Sequence, residues 1–105
     1  MIQLLVKHKN IVTKILRHYL SNQKVYVFGS RAKENARNFS DLDLCLTGDA
    51  LTFSQMAQIK EAFSESDLPY FVDVVQKSSL SEDFYKQVKG DFIELPFNFD
   101  ENTTS

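Results

Sequence analysis

The sequence predicts an α/β or α+β fold in which helices pack on a β-sheet. Apolar runs at residues 24–28, 41–47 and 70–75 have the composition or the strict alternation of β-strands. Amphipathic segments with helical spacing lie before, between and after these runs. The predicted order is therefore helix, strand, helix, strand, helix, strand, helix, and residues 92–95 could add a short fourth strand.

The helical segments are recognised from their apolar stripes and from their first residues. Residues 1–20 carry apolar side chains three and four positions apart. Residues 30–37 are also helix-prone, and Ser30 is placed to cap that segment. Capping-box patterns at residues 52–55 and 79–82 predict the starts of two further helices.

Two of the predicted strands carry carboxylates on a defined face. Alternation in residues 41–47 puts three leucines on one face of the strand and both Asp41 and Asp43 on the other. Asp73 is the only charge in the apolar run at 70–75, where an unpaired carboxylate is costly. These acids therefore need a cation, a basic partner or contact with solvent.

The composition is that of an ordinary globular chain. Its 105 residues are expected to form one domain at residues 1–97, followed by a flexible tail at 98–105. The single Cys45 excludes an internal disulfide, and His8 and His18 are expected to be surface residues rather than metal ligands. No apolar run approaches the roughly 20 residues of a membrane helix, and no signal-peptide pattern is present. A cytoplasmic protein without membrane contact is therefore expected.

The net charge of −2 conceals a separation of sign along the chain. Residues 1–37 contain eight Lys or Arg and one acid, whereas residues 38–105 contain four Lys or Arg and thirteen acids. Such a distribution can steer an anionic ligand to one side of the molecule. It can equally reflect solvated faces that attract each other within a monomer or across a dimer, so oligomer formation stays open.

The first predicted strand ends in a Gly-Ser pair. Gly29 supplies a position where the backbone can bend and a ligand can approach closely. Ser30 and the N–H groups that follow it could hold a phosphate, because helix starts bind anions. Gly-Ser is a common turn, so its significance comes from its position between a strand and a helix, upstream of Asp41 and Asp43.

The three strand carboxylates are candidate ligands for magnesium. Asp41 and Asp43 lie close enough on one strand face to share a cation or to hold two. Alone, such a pair is more often an exposed acidic strand end. If the strand of Asp73 lies beside theirs, the three acids form one cluster of the oxygen ligands that Mg²⁺ prefers. Two ions held in this way can align an acceptor oxygen with a leaving phosphate.

The combined spacing resembles that of a known enzyme family. Ten residues separate the Gly29-Ser30 pair from Asp41-x-Asp43, and Asp73 follows in a later strand. This arrangement, with the segments GSRA, SDLDL and VDVV, resembles the nucleotidyltransferase superfamily of DNA polymerase β. It is most similar to the shortest members, the minimal nucleotidyltransferases of the MntA type, and the matching motifs cover roughly residues 24–76.

The resemblance implies both a fold and a donor site. The fold would be a small mixed β-sheet flanked by helices, and the donor substrate would be ATP. Gly29 and Ser30 would hold the β- and γ-phosphates of the nucleotide. Arg31 would contact phosphate or the acceptor protein.

The resemblance also implies catalytic roles for the three carboxylates. Asp41 and Asp43 would bind two Mg²⁺ ions. Asp73 would complete the catalytic metal site and help to activate the acceptor hydroxyl. Because no acid of this set is missing from the sequence, an active enzyme is expected.

The resemblance further implies a partner protein. Members of this size are similar to the antitoxin half of toxin–antitoxin pairs, in which AMP moves from ATP to a tyrosine of a helical HEPN/HepT-type ribonuclease toxin. The expected partner is such a toxin from a neighbouring gene, and nucleic acid is not expected as a direct ligand. The chain shows no second domain to embrace an acceptor, which favours a protein acceptor. Two alternatives stay open: an antitoxin that acts by binding alone, and an enzyme that modifies a small hydroxylated molecule.

Overall fold

The computed structural model describes residues 4–32 and 40–97, which form three α-helices and four β-strands. The helices of these ranges are α1 (Val6–Tyr19), α2 (Phe53–Ser64) and α3 (Glu82–Val88). Their strands are β1 (Lys24–Phe28), β2 (Leu42–Thr47), β3 (Val72–Gln76) and β4 (Ile93–Glu94). Short 3-10 turns occupy Gly29–Arg31, Lys77–Ser79 and Lys89–Asp91.

The four strands form one mixed sheet in the order β3-β2-β1-β4. Strand β1 runs antiparallel to β2 and β4, whereas β2 and β3 are parallel. The helix α2 makes the crossover between the parallel pair, as expected for a strand–helix–strand unit. This confirms the predicted mixed sheet with flanking helices, and it makes the two acid-bearing strands direct neighbours.

One face of the sheet is buried under α1 and α2. The leucines of β2 point to this face and are at most 2% exposed. They join a single apolar cluster with residues from both helices and from the neighbouring strands, including Val12, Leu16, Val25, Val27, Ile59, Phe63, Val72 and Val74. Burial of each large apolar side chain contributes about 1.5–3 kcal/mol, so this layer fixes the position of β2 and β3.

The opposite face of the sheet carries Asp43 and is partly covered by aromatic side chains. Phe28 pairs with Asp43 across β1 and β2. Phe84 of α3 meets Phe28 edge-on, with ring centroids 6.5 Å apart. Phe92 stacks on Tyr26 at 5.3 Å. Helix α3 and the segment before β4 therefore pack on the same face as the acids.

Two helix starts were predicted from capping boxes, and they have different outcomes. At the start of α2, the Thr52 hydroxyl accepts the Gln55 N–H at 3.1 Å and the Gln55 side chain accepts the Thr52 N–H at 2.8 Å. This capping box is confirmed. The box predicted at residues 79–82 is wrong, because the hydroxyl of Ser81 is the one that caps α3, accepting the Phe84 N–H at 3.1 Å.

Some predicted segments fall partly or wholly outside the described residues. The helix predicted at 1–20 is observed as Val6–Tyr19, and residues 1–3 lie outside the described ranges. Most of the helix predicted at 30–37 also lies outside them. So does the predicted tail at 98–105, and the domain boundary after residue 97 stays a prediction. Within the described ranges, no helix combines the length and apolar character needed to cross a bilayer.

Candidate active site

The backbone after β1 turns at Gly29, which has φ = +77°. Residues with a Cβ rarely adopt this left-handed conformation, whereas glycine adopts it without steric cost. A Cβ at this position would overlap Oδ2 of Asp43 and would lie 3.4 Å from its Cγ. The absence of a side chain therefore allows the turn to lie directly against the Asp43 carboxylate.

The predicted phosphate-binding residues lie in a single tight turn. Gly29–Arg31 form a 3-10 turn, with Ser30 in the middle. The turn is closed by a hydrogen bond of 3.1 Å from the Ala32 N–H to the Gly29 carbonyl. The structure thus places the Gly29–Arg31 turn immediately after β1, at the end of β1 that pairs with Asp43 of β2.

The predicted acids are brought to the same end of two adjacent strands. Asp43 of β2 and Asp73 of β3 occupy aligned positions of the parallel pair. Both side chains are half-buried, whereas Asp41, two residues before Asp43, is exposed. From the sequence, a cluster of acids required that the strand of Asp73 lie beside the strand of Asp43. The structure shows these two strands as direct neighbours.

The electrostatics of Asp43 favour a proton or a cation. Burial raises the pKa of this carboxyl, and the neighbouring carboxylates of Asp73 and then Asp41 raise it further. Across residues 4–32 and 40–97, no group of three or more His, Cys, Asp or Glu side chains has the geometry of a metal site. The acids are therefore neighbours that repel each other rather than a set already arranged around an ion.

Arg31 makes its contacts within the protein. The side chain is only 6% exposed. Its Nε and Nη2 donate hydrogen bonds of 3.1 and 2.8 Å to the carbonyl oxygen of Ser40, the residue before Asp41. Its Cζ lies 4.1 Å from the centroid of the Tyr70 ring, within the range of a cation–π interaction.

Sequence reasoning missed the residues around Arg31. Tyr70 was assigned to a strand but lies before β3, and the ring of His8 meets it edge-on at 5.4 Å. His8 was expected at the surface and is half-buried. No local pattern could have identified Ser40 or Tyr70, because each meets Arg31 only through tertiary structure.

The hydroxyl of Tyr70 is buried and has no hydrogen-bond partner among the described residues. Burial raises the pKa of Tyr70, and the nearby Arg31 guanidinium offsets part of this effect. A cavity of about 460 Å³ has Tyr70 in its wall, together with residues of α2 such as Phe63. Val74 also lines this cavity, which therefore lies on the face of the sheet that packs against α2 and not on the face that carries the acids.

Comparison with known proteins agrees with this geometry. Residues 10–95 match a family described as "Polymerase beta, Nucleotidyltransferase". A relative from Haemophilus influenzae, named "Probable protein adenylyltransferase MntA", is 40% identical over 86 residues, which are 81% of this chain and 75% of the relative. The family match over residues 10–95 includes the β1 turn and both acid-bearing strands.

Solved structures share the fold. A chain from a crystal structure of a toxin–antitoxin with AMP-PNP has a TM-score of 0.70 and 24% identity, and the match covers 90% of this chain and 76% of that one. A chain from a structure of the tri-AMPylated Shewanella oneidensis HEPN toxin in complex with MNT antitoxin has a TM-score of 0.64 and 24% identity, over 86% and 70% of the two chains. With the motif, the aligned acids and the match over residues 10–95, this chain belongs to the polymerase β nucleotidyltransferase family.

Proposed function

We propose that this protein transfers AMP from ATP to a hydroxyl group, expected to be that of a tyrosine, on a HEPN/HepT-type toxin from a neighbouring gene. In this way it acts as the antitoxin of the pair. The family supplies the reaction type, and the relative named as a probable protein adenylyltransferase supplies the acceptor class. The related structures that contain AMP-PNP or an AMPylated HEPN toxin support the donor and the partner. The proposed location is the cytoplasm, because the proposed donor ATP is available there.

The observation that carries this proposal is the alignment of Asp43 with Asp73 beside the Gly29 turn. A structural role would not need two half-buried carboxylates side by side, because their repulsion destabilises the fold. A site that receives a polyanion together with cations needs this arrangement. The single glycine that leaves room beside Asp43 fits the same use.

The donor atoms at this site fit Mg²⁺. They are carboxylate oxygens, with no His or Cys ligand among the proposed set. Burial first, and then the carboxylates of Asp73 and Asp41, raise the pKa of Asp43, and a cation would offset the repulsion between these carboxylates. Asp41, Asp43 and Asp73 would hold the metal, with two ions proposed. When bound, Mg²⁺ would neutralise negative charge on the phosphate group that is transferred.

The Gly29–Arg31 turn is the proposed binding site for the donor phosphates. Gly29 and Ser30 would hold the β- and γ-phosphates of ATP through backbone N–H groups, since successive N–H groups of such a turn bind anions. A phosphate or acceptor contact of Arg31 also stays a prediction, although this side chain is bound to Ser40 and Tyr70 within the protein.

In the proposed step, the acceptor oxygen forms a bond to the α-phosphorus of ATP. The bond from that phosphorus to the oxygen that bridges to the β-phosphate breaks, and pyrophosphate leaves. The hydroxyl proton passes to the carboxylate of Asp73 and then to solvent.

The test is a transfer assay with the purified product of the neighbouring gene. The protein, ATP and Mg²⁺ are incubated with that product, and intact mass spectrometry is expected to show an increase by one or more AMP residues. Asp43→Asn and Asp73→Asn are expected to reduce transfer by at least about 100-fold, because each removes a charge from the reacting centre. Asp67→Asn, which changes an exposed acid outside the site, is the matched control.

The same experiment separates the two alternatives. A tight complex without any mass increase, unchanged when Asp41 and Asp43 are both replaced by asparagine, would identify an antitoxin that acts by binding alone. Pyrophosphate release that depends on a small hydroxylated compound rather than on the protein partner would identify a small-molecule acceptor. Full transfer by Asp73→Asn would contradict the proposed site.

A further inference from the structure

Arg31 joins the two ends of the segment that links the phosphate-binding turn to β2. The side chain belongs to the Gly29–Arg31 turn, and its Nε and Nη2 both donate to the Ser40 carbonyl. Two donors of one planar guanidinium therefore hold one acceptor. A lysine has a single ammonium group and cannot reproduce this geometry.

The guanidinium of Arg31 is held in place from a second direction. Its Cζ lies 4.1 Å from the ring centroid of Tyr70, and the Tyr70 ring also makes a T-shaped contact with the ring of His8, with centroids 5.4 Å apart. The Arg31 side chain is 6% exposed, and the Tyr70 hydroxyl is fully buried. A cation–π contact is worth more in such a desolvated setting than at the surface.

These contacts act on the backbone around Asp41. Arg31 holds the carbonyl of Ser40 on one side of Asp41, and the N–H of Leu42 on the other side donates to the Phe71 carbonyl at 3.0 Å. Asp41 lies between two fixed peptide groups, although its own side chain is exposed. An exposed carboxylate that must meet a cation needs a backbone that is fixed in this way.

We infer that Arg31 is a positioning residue: by binding the Ser40 carbonyl and stacking on Tyr70, it fixes the backbone of Asp41 relative to the Gly29–Arg31 turn. This role rests on the proposed function for its catalytic consequence, since the turn and Asp41 form the two halves of the proposed donor site. The competing role is direct contact between Arg31 and the phosphates of ATP. The two roles predict different responses to Arg31→Lys, which keeps the charge and removes the planar fork.

The first experiment measures backbone order without any substrate. Native-state amide hydrogen exchange is compared in the wild type, Arg31→Lys, Arg31→Met and the control Lys14→Met, which removes an exposed charge from α1. Both Arg31 variants are expected to speed exchange at Leu42 by about tenfold or more relative to exchange at Leu46, at the other end of β2. Equal acceleration at both amides, or none, would overturn the positioning role.

The second experiment measures transfer kinetics with the partner protein. Arg31→Lys and Arg31→Met are both expected to lower kcat by about tenfold or more while KM for ATP changes by less than about twofold. Lys14→Met is expected to match the wild type. A raised KM for ATP with kcat retained in Arg31→Lys would identify a phosphate contact and overturn the inference.

The outcomes remain separable if one part fails. If the wild type transfers no AMP, the proposed function is contradicted, and the exchange measurement still decides whether Arg31 fixes Asp41. If the Arg31 variants do not fold, Tyr70→Leu and Tyr70→Phe replace them. Faster exchange at Leu42 in Tyr70→Leu than in Tyr70→Phe supports the inference, because only the leucine variant loses the ring under the guanidinium, and equal exchange overturns it.

Discussion

Gly29 shows how one residue sets the distance between the two halves of the site. Its positive φ turns the backbone after β1, and its missing Cβ leaves room for the Asp43 carboxylate. Both properties are unique to glycine at this position, since any L-side chain would be strained in φ and would also overlap Oδ2. The requirement is therefore steric as well as conformational.

Gly29→Ala is expected to destabilise the protein by about 1–2 kcal/mol through backbone strain and to reduce AMP transfer by at least about 100-fold through displacement of Asp43. Urea unfolding and the transfer assay measure the two effects. Gly90→Ala is the control, because a Cβ there meets no atom within 4 Å. Transfer at the wild-type rate by Gly29→Ala would show that the carboxylate does not need this position.

Tyr70→Phe tests the buried hydroxyl. Among the residues that the structure describes, this hydroxyl has no partner, and such a buried group carries an uncompensated desolvation cost. Its removal is therefore expected to leave stability unchanged or to raise it by up to about 1 kcal/mol. Tyr70→Leu, which also removes the ring next to Arg31, is expected to lower stability by about 1–2 kcal/mol. Denaturant midpoints of the two variants decide the matter. A marked loss of stability in Tyr70→Phe would show that the hydroxyl has a partner in solution.

At the scale of elements, the alternation of side chains allowed β2 to be predicted from the sequence. The pairing of β2 with β3 could not be predicted in this way. Alternation is a local property, so the faces of Leu44 and Asp43 followed from the sequence. The α2 crossover made a parallel neighbour plausible, because strand–helix–strand units pair in this way. The register that aligns Asp43 with Asp73 depends on packing of the whole β2-α2-β3 unit and could not be derived locally.

The helix starts illustrate the same limit. The sequence supplied a correct capping box at Thr52, but it could not distinguish Ser79 from Ser81 as the cap of α3. Two serines lie two positions apart before α3, and the 3-10 turn Lys77–Ser79 uses the first of them. Arg31 shows this limit of sequence-based prediction more clearly, because no sequence pattern relates it to its partners Ser40 and Tyr70.

Cys45 provides a test of β2 as an element. Its thiol is fully buried in the strand, and burial raises the thiol pKa to about 11, with Lys77 partly opposing this effect. At pH 8 the native thiol is therefore neutral and inaccessible. We expect its reaction with a disulfide reagent to be about 10³-fold slower or more in the native protein than in urea, because the reaction needs unfolding of a central strand. Comparable rates in both states would contradict the burial of β2.

At the scale of the whole molecule, the fold concentrates negative charge at the end of the parallel pair. Burial, Asp73 and Asp41 raise the pKa of Asp43 above its ordinary value. A carboxyl whose pKa is higher in the folded state destabilises the fold when it is ionised, above that raised pKa. The penalty decreases as the pH falls through the raised pKa and is absent below the pKa of the unfolded chain. Without metal, the fold therefore carries an electrostatic cost at neutral pH.

Asp43→Asn is expected to remove this cost. Without metal, the variant should have a higher free energy of unfolding than the wild type at pH 7 and a smaller advantage at pH 4, where the wild-type carboxyl takes up a proton. Mg²⁺ should raise the thermal midpoint of the wild type and should have less effect on the variant, since a ligand stabilises the state that binds it. The control Asp67→Asn, at an exposed position, should respond to Mg²⁺ like the wild type. An equal response of all three proteins to Mg²⁺ would mean that Asp43 is not a metal ligand, and the repulsion between Asp43 and Asp73 would then need another explanation.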